Sequence, residues 1–167
     1  MSEKTMLRLT PAIYKALRSH GEETYPNECC GVLLGRFEDG GNSVEGAARA
    51  ANTRTDSAHN RYGIAPQELV RIQRQGREQG WDIVGFYHSH PDHPAQWSNT
   101  DLAEAHWLGC SYVITSVAGG AATQTNSFLL TGASEEDKAF VNEVMVIEGE
   151  PALAVDEAEK ASRSIPA

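Results

Sequence analysis

The sequence has few cysteines and no long apolar run. Its three cysteines, Cys29, Cys30 and Cys110, are an odd number, and two of them are adjacent in an apolar stretch. This pattern does not indicate a disulfide framework. The N-terminus shows no charged segment followed by an apolar one, and no apolar run approaches the roughly 18 residues of a membrane-spanning helix. We therefore expect a cytoplasmic protein with no membrane association.

Several catalytic signatures are also absent. There is no His-Glu-x-x-His helix, no Gly-x-Ser-x-Gly elbow, no P-loop, no Cys-x-x-Cys pair and no nucleotide deaminase pattern. The formal net charge of -9 argues against a nucleic-acid surface. Much of this charge lies near the C-terminus, where nine acidic residues and two lysines occur between Glu135 and Lys160. We expect a partner to be recognised by shape and backbone pairing.

The most informative segment reads HSHPDHPAQWSNTD and begins at His88. Histidines at i and i+2, here His88 and His90, project from the same face of a strand but not of a helix. Residues 82–87 favour a strand because they are rich in β-branched and aromatic types, and Pro91 would end its pairing. The segment therefore predicts two histidines at the C-terminal end of one strand.

Downstream, Ser98 to Asp101 opens a run of helix formers up to Leu108, which places Asp101 in a first helical turn. A strand end and a helix start can converge on one ion. Two neutral imidazoles and one carboxylate suit Zn²⁺ in a tetrahedral catalytic site that leaves the fourth position open. We expect one zinc per chain, with His88, His90 and Asp101 as its ligands.

Two further residues are candidates for catalytic roles. Zinc acts as a Lewis acid and makes hydroxide available at neutral pH. Glu28, upstream of the histidines, would take a proton from water and pass it to the leaving amine. Ser98 would donate its hydroxyl to the developing oxyanion.

Each of these residues also has a structural interpretation. Ser98 and Asp101 alone match a capping box, the two histidines alone are ordinary at a strand end, and Glu28 alone is a surface acid before a strand. Taken together, the fixed spacing of these residues in the sequence favours a metal site over the separate structural interpretations. A purely structural zinc would need a fourth protein ligand, for which His93 is the only nearby candidate.

The remaining cysteines and histidines carry weaker signals. Period-two alternation places Cys30 on the same side as Glu28, so its thiol either packs as a small hydrophobe or lines the floor of the site. His20, His59, His93 and His106 have no partner spacing. We expect all four to be solvent-exposed or locally hydrogen-bonded; for His93, which lies inside the motif loop, the alternative is an approach to the substrate.

The helices and strands alternate without a strict βαβ pattern, which predicts an α/β or α+β fold with a single mixed β-sheet packed with helices. The predicted strands are Met6 to Leu9, Cys29 to Phe37, Ser43 to Ala50, Asp82 to the histidines, Ser111 to Val117, Ser127 to Leu130 and Lys138 to Ile147. Besides the Ser98 helix, the predicted helices run from Pro11, after a Thr10 N-cap, to about Glu23 and from Pro66 to about Gln79.

Glu28 followed by H-x-H-x7-S-x2-D resembles the motif of the JAMM (MPN+) family of zinc-dependent isopeptidases, and every motif position matches. The resemblance covers roughly residues 5–147, including Tyr25 to Gly35, similar to the glutamate strand, and Arg61 to Pro66, similar to the segment before the central helix. At the position before the motif serine, where the family often has proline, this chain has Trp97. The resemblance implies a JAMM/MPN-like fold with a cytidine-deaminase-like architecture.

By its short length, the chain is most similar to the bacterial branch, which acts on ubiquitin-like sulfur-carrier proteins. The resemblance implies a zinc metallopeptidase that hydrolyses a peptide or isopeptide bond at the Gly-Gly C-terminus of such a partner and releases cysteine or another amino acid. The extended tail would pair with a sheet edge beside the metal. The alternative is a non-catalytic scaffold or interaction domain of the same fold.

At 167 residues, the chain fits one domain. We assign residues 1–147 to the catalytic domain and residues 148–167 to an acidic, flexible tail, because the composition shifts there toward Pro, Ala, Ser and acids. The alternative for the tail is docking of residues 151–155 on a neighbouring subunit, which would make a homodimer.

Overall fold

The structure, a computed structural model, describes residues 6–54 and 62–148. The described residues form one mixed sheet with packed helices, as predicted. The strands are β1 (Met6–Leu9), β2 (Cys30–Glu38), β3 (Gly41–Ala50), β4 (Asp82–Pro91), β5 (Ser111–Ala118), β6 (Ala121–Thr131) and β7 (Ala139–Ile147), and the helices are α1 (Pro11–Thr24), α2 (Pro66–Glu78) and α3 (Asn99–Glu104). Residues 149–167, most of the predicted tail, and His59 lie outside the described residues.

The sheet closes on itself in the order β1-β3-β2-β4-β5-β6-β7. β1 pairs in parallel with β3 on one side and with β7 on the other, so that it closes the sheet. β4 and β5 are also parallel, whereas the other neighbouring strands are antiparallel. Closure was not predicted, because a strand of only four residues does not indicate partners from two distant parts of the chain.

The sheet has an apolar cluster on each face. On one face, Tyr14 and Leu17 of α1 pack against inward-facing strand residues that include Val84. On the other face, Ile72 of α2 belongs to a cluster with Phe86 and aromatic residues of β5 and the neighbouring loops. β4 therefore contributes side chains to both clusters and is buried along nearly its whole length. No helix of the described residues is long and apolar enough to cross a membrane.

The helix predicted from Ser98 to Leu108 is shorter in the structure, because α3 ends at Glu104. Ala105 is already extended, with φ -90° and ψ 121°. The Lys138 ammonium accounts for this end, since it donates to the carbonyl oxygens of Ala103 over 3.2 Å and Ala105 over 2.7 Å. A distant side chain thus takes carbonyl groups that a longer helix would use internally.

β6 is longer than the predicted strand from Ser127 to Leu130, because it begins at Ala121. Gly119 and Gly120 both have positive φ and form the two-residue turn between β5 and β6. The added residues are small or polar, which does not favour a strand by composition. Their polar groups form hydrogen bonds with other parts of the fold; for example, the Thr125 hydroxyl lies 3.1 Å from the Thr115 hydroxyl. The other predicted elements agree with the structure to within two residues.

Candidate metal centre

β4 carries His88 and His90 on one face of the sheet, as the i, i+2 spacing predicts. β4 lies between β2 and β5, with Cys30 opposite His88, so its backbone is fixed on both sides. Both imidazoles are buried, with 2% of the His88 surface and 8% of the His90 surface exposed. They lie on the same side as Phe86, two residues before His88.

The start of α3 brings Asp101 to the two histidines. Ser98 is the N-cap, and its Oγ accepts a hydrogen bond from the Asp101 backbone N–H over 3.0 Å. In return, the Ser98 backbone N–H donates to Asp101 Oδ2 over 2.9 Å. This reciprocal capping box fixes the Asp101 carboxylate at the beginning of the helix.

Two imidazole nitrogens and both oxygens of one carboxylate converge at this point. His88 Nε2 lies 3.2 Å from His90 Nε2 and 3.3 Å from Asp101 Oδ1, and His90 Nε2 lies 3.1 Å from Asp101 Oδ2. Donor atoms about 2.0–2.1 Å from a tetrahedral zinc are about 3.3 Å from one another. With one donor atom from each residue, all within 4.8 Å of one another, the three residues can occupy three corners of such a tetrahedron.

The charge state of Asp101 also suits a ligand. Burial alone would raise its pKa, but hydrogen bonds and charge interactions with the two imidazoles hold the pKa well below its usual range. Burial lowers the pKa of His88 and so favours the neutral imidazole that a metal requires.

The two imidazoles differ in how their outer nitrogens are bound. Nδ1 of His90 lies 2.9 Å from the carbonyl oxygen of Pro94, whereas Nδ1 of His88 has no hydrogen-bond partner among the described residues. The His88 ring instead stacks on Tyr62, with ring centroids 4.5 Å apart and an interplanar angle of 25°.

Glu28 lies just before β2, and only 5% of its surface is exposed. Its Oε1 accepts no hydrogen bond from any described residue. Burial raises the pKa of Glu28 to about 8, an effect that the nearby His90 opposes. A buried carboxyl group that gains or loses a proton near neutral pH is suited to general acid–base work.

Glu28 shares a cavity with His90 and Ser98. The cavity has a volume of about 390 Å³, and its other lining residues are His93, Pro94, Gln96 and Thr100. A group bound in this cavity would therefore be bordered by Glu28, His90 and Ser98. The site thus has the parts for hydrolysis of an acyl bond.

The histidines outside the cluster lie in different environments. His93 lines the cavity, but it is not part of the three-residue cluster, which is the only such group of potential metal ligands among the described residues. The predicted structural-zinc alternative therefore lacks its fourth ligand there. His106 is exposed and lies 3.0 Å from Glu135, in line with its prediction, whereas His20 is buried and contacts the hydroxyl of Tyr87, which is distant in sequence.

Sequence reasoning did not assign roles to two residues beside the site, Tyr62 and Asn52. Tyr62 lies in the segment that precedes α2, and its aromatic character was the available signal. Nothing in the sequence indicates a role for Asn52, because an isolated asparagine is common in a polar segment. Its Nδ2 donates to the carbonyl oxygen of Glu28 over 3.2 Å. Cys30 packs in the apolar cluster beneath this face, and burial raises the pKa of its thiol to about 12.

Comparison with known families agrees with this geometry. A family model described as prokaryotic homologs of the JAB domain matches residues 10–131, which include both histidines, Asp101, Ser98 and Glu28. The chain belongs to this JAB-domain family. The resemblance to JAMM proteins inferred from the motif is thereby confirmed.

Individual relatives and solved structures extend the comparison. The chain is 37% identical over 94 residues to a desampylase of Haloferax volcanii, a match that spans 56% of this chain and 66%, just under two thirds, of the relative. A solution structure of a Salinibacter ruber protein is 39% identical, with a TM-score of 0.64 over 93% of this chain and 97% of that one. A Desulfitobacterium hafniense protein is 27% identical, with a TM-score of 0.70 over 86% and 94%.

Proposed function

We propose that the chain is a zinc-dependent hydrolase that cleaves a peptide or isopeptide bond after the Gly-Gly tail of a ubiquitin-like protein. The observation that carries this proposal is the shared cavity, which Glu28 lines together with His90 and Ser98 and in which the buried Glu28 Oε1 accepts no hydrogen bond from any described residue. The relative from Haloferax volcanii supports the substrate class, because a desampylase acts on conjugates of the ubiquitin-like modifier SAMP.

His88, His90 and Asp101 would hold the zinc. Their spacing fits the ion, and the set of two imidazoles and one carboxylate leaves one position open for the reaction. When bound, zinc supplies Lewis acidity toward the carbonyl group and lowers the pKa of water. These three side chains do no further chemistry; they hold their positions because strand pairing and the capping box fix their backbones.

Glu28 would move the proton. Its carboxylate takes a proton from the attacking water and then gives it to the nitrogen of the leaving amine, so the group is unchanged after one turnover. Burial favours the protonated form of Glu28, and a bound cation would favour the ionised form. Because these two effects oppose each other, the Glu28 carboxyl group can be either protonated or ionised near neutral pH.

Ser98 would stabilise the oxyanion. Its Oγ already accepts the hydrogen bond from the Asp101 backbone, so the hydroxyl proton is available to another acceptor. In the cavity, that acceptor would be the carbonyl oxygen of the scissile bond as negative charge develops on it.

The finer parts of the assignment follow from the family resemblance. The partner would be a sulfur-carrier protein whose extended tail pairs with a sheet edge, with cysteine or another amino acid as the released group. The cytoplasmic location, the homodimer and the cytidine-deaminase-like architecture stay predictions. The alternative of a non-catalytic scaffold is less favoured, because such relatives lack the ligands that converge here.

The test uses a Gly-Gly-extended carrier protein joined through its C-terminus to cysteine or, in a second substrate, to a lysine side chain. Mass spectrometry follows release of the free carrier by the wild-type protein, by the chelator-treated protein and by Glu28→Gln. We expect cleavage by the wild type, loss with the chelator and recovery when zinc is restored.

Glu28→Gln should retain zinc and lose cleavage by a factor of at least about 100, in the range of general acid–base catalysis. The matched control is Glu78→Gln, an equivalent change at an exposed position of α2, which should cleave as the wild type does. Undiminished turnover by Glu28→Gln would refute the acid–base role. A zinc-loaded wild type that binds the carrier without cleaving it would favour the scaffold alternative.

A further inference from the structure

Ligand histidines at metal sites normally bind a second partner through their outer nitrogen. That bond fixes the ring orientation, and its loss typically costs 10- to 100-fold in metal affinity. His90 has such a bond, because its Nδ1 lies 2.9 Å from the Pro94 carbonyl oxygen. His88 has none among the described residues, although only 2% of its surface is exposed. Another contact must therefore set the plane of the His88 ring.

Tyr62 makes that contact. Its ring lies nearly parallel to the His88 imidazole, with centroids 4.5 Å apart and an angle of 25° between the planes. A flat neighbour at this distance blocks rotation of the imidazole about its Cβ–Cγ bond, because any large turn would bring the ring edge into the Tyr62 face. The stack leaves Nε2 directed at Asp101 Oδ1, 3.3 Å away.

The position of Tyr62 is itself fixed through its neighbour in the chain. The Gly63 backbone N–H donates to Asn52 Oδ1 over 3.1 Å, and the Gly63 carbonyl accepts from the Thr53 N–H over 2.9 Å. The Asn52 amide also donates to the Glu28 carbonyl oxygen. One side-chain amide thus links the segment that carries Tyr62 to the segment that carries the acid.

Tyr62 also packs against the apolar cluster that contains Ile72 and Phe86. The ring borders a cavity of about 370 Å³, with Phe86, Trp107 and Tyr112 among its other lining residues. Packing in this cluster and the backbone bonds of Gly63 together hold the ring against His88.

We propose that Tyr62 is a positioning residue that orients the His88 imidazole for metal binding, in place of the hydrogen bond that His90 has. The inference rests on the proposed metal site. It predicts that the flat ring matters and that the hydroxyl does not.

The test compares Tyr62→Leu with Tyr62→Phe in the full chain. Competition with a chromophoric chelator gives the Zn²⁺ affinity, and the visible absorption spectrum of Co²⁺-loaded protein reports the ligand geometry. We expect Tyr62→Leu to bind Zn²⁺ about 10- to 100-fold more weakly, with an altered Co²⁺ spectrum. Tyr62→Phe keeps the stacked ring and should match the wild type within about twofold in affinity.

Thermal unfolding of the metal-free variants separates positioning from simple packing. Wild-type affinity and an unchanged Co²⁺ spectrum in Tyr62→Leu, with or without reduced stability, would overturn the proposal, as would an equal loss in Tyr62→Phe. If Tyr62→Leu does not fold, Tyr62→Met, which fills similar volume without a flat ring, takes its place under the same criteria. A wild-type protein that binds no metal contradicts the proposed function itself, which is a distinguishable result.

Discussion

Ser98 and Asp101 bind each other through two hydrogen bonds, one from each backbone N–H to the side chain of the other residue. The capping-box interpretation of this pair and its role at a metal site were alternatives in the sequence. The structure shows that they are compatible, because Asp101 Oδ2 both accepts from the Ser98 N–H and lies 3.1 Å from His90 Nε2. The cap positions the carboxylate that faces the histidines.

The two roles of Ser98 can be separated by substitution. Ser98→Ala removes both the cap acceptor and the hydroxyl donor, so it should lower stability by about 1 kcal/mol and kcat by about 10²- to 10³-fold. Ser98→Gly also removes the hydroxyl, but glycine costs only a few tenths of a kcal/mol at an N-cap. Denaturant unfolding and carrier cleavage should therefore show equal losses of activity and unequal losses of stability. Full activity in Ser98→Gly would rule out the oxyanion role.

His20 should make the protein less stable in acid. Burial, assisted by the Arg49 charge, lowers the pKa of His20 to about 4, and its Nδ1 lies 2.7 Å from the Tyr87 hydroxyl. In the unfolded chain, the pKa returns to about 6.5, so the unfolded state binds more protons between these values. Stability from this group is complete above about pH 6.5 and is lost as the pH falls toward 4. The melting temperature of the wild type should fall across this window more steeply than that of His20→Gln; parallel curves would contradict the assignment.

Glu143 should make the protein less stable as the pH rises, whereas His20 makes it less stable as the pH falls. Only 2% of its surface is exposed, its Oε1 accepts from the Ser127 hydroxyl over 2.7 Å, and burial raises its pKa above the ordinary 4.5. As the pH rises above about 4.5, the unfolded chain releases this proton first, so the stability contributed by the group decreases. Glu143→Gln cannot ionise. Its melting temperature relative to the wild type should therefore increase from pH 4.5 to 8, and a constant difference would show that Glu143 titrates normally.

Gly31 is needed for the close approach of Tyr87. A Cβ at this position would lie 2.1 Å from the Tyr87 ring, and both residues belong to paired, buried strands. Gly31→Ala should destabilise the protein by about 1–3 kcal/mol, the range for overpacking in a core. In a Tyr87→Leu background, the same substitution should cost less, because the ring is gone. Equal costs in the two backgrounds, measured by denaturant unfolding, would show that the contact does not determine the effect.

The convergence of His88, His90 and Asp101 was predictable because it follows from local rules. The i, i+2 histidines require a strand, and the serine and aspartate three residues apart require a helix start, so each half of the site is encoded within a few residues. Their meeting point depends on a loop of only seven residues between His90 and Ser98. The structure brings His88, His90 and Asp101 together, and their role as metal ligands stays a prediction.

Other features depend on contacts between residues far apart in sequence. Lys138 ends α3 by binding its carbonyl groups, and the polar half of β6 is a strand because β5 pairs with it. Closure by β1 and the stacking of Tyr62 on His88 likewise join distant segments. Composition and periodicity reflect residues that are close together in the chain, so they do not predict contacts between distant segments.

The most direct test of the metal centre is the zinc content of purified protein after equilibration with zinc and removal of the unbound ion. We predict about one zinc per chain for the wild type and for His93→Ala, whose side chain lines the cavity outside the ligand cluster, and little zinc for His90→Ala. A wild type without zinc, or a His90→Ala variant that keeps the full amount, would contradict the account.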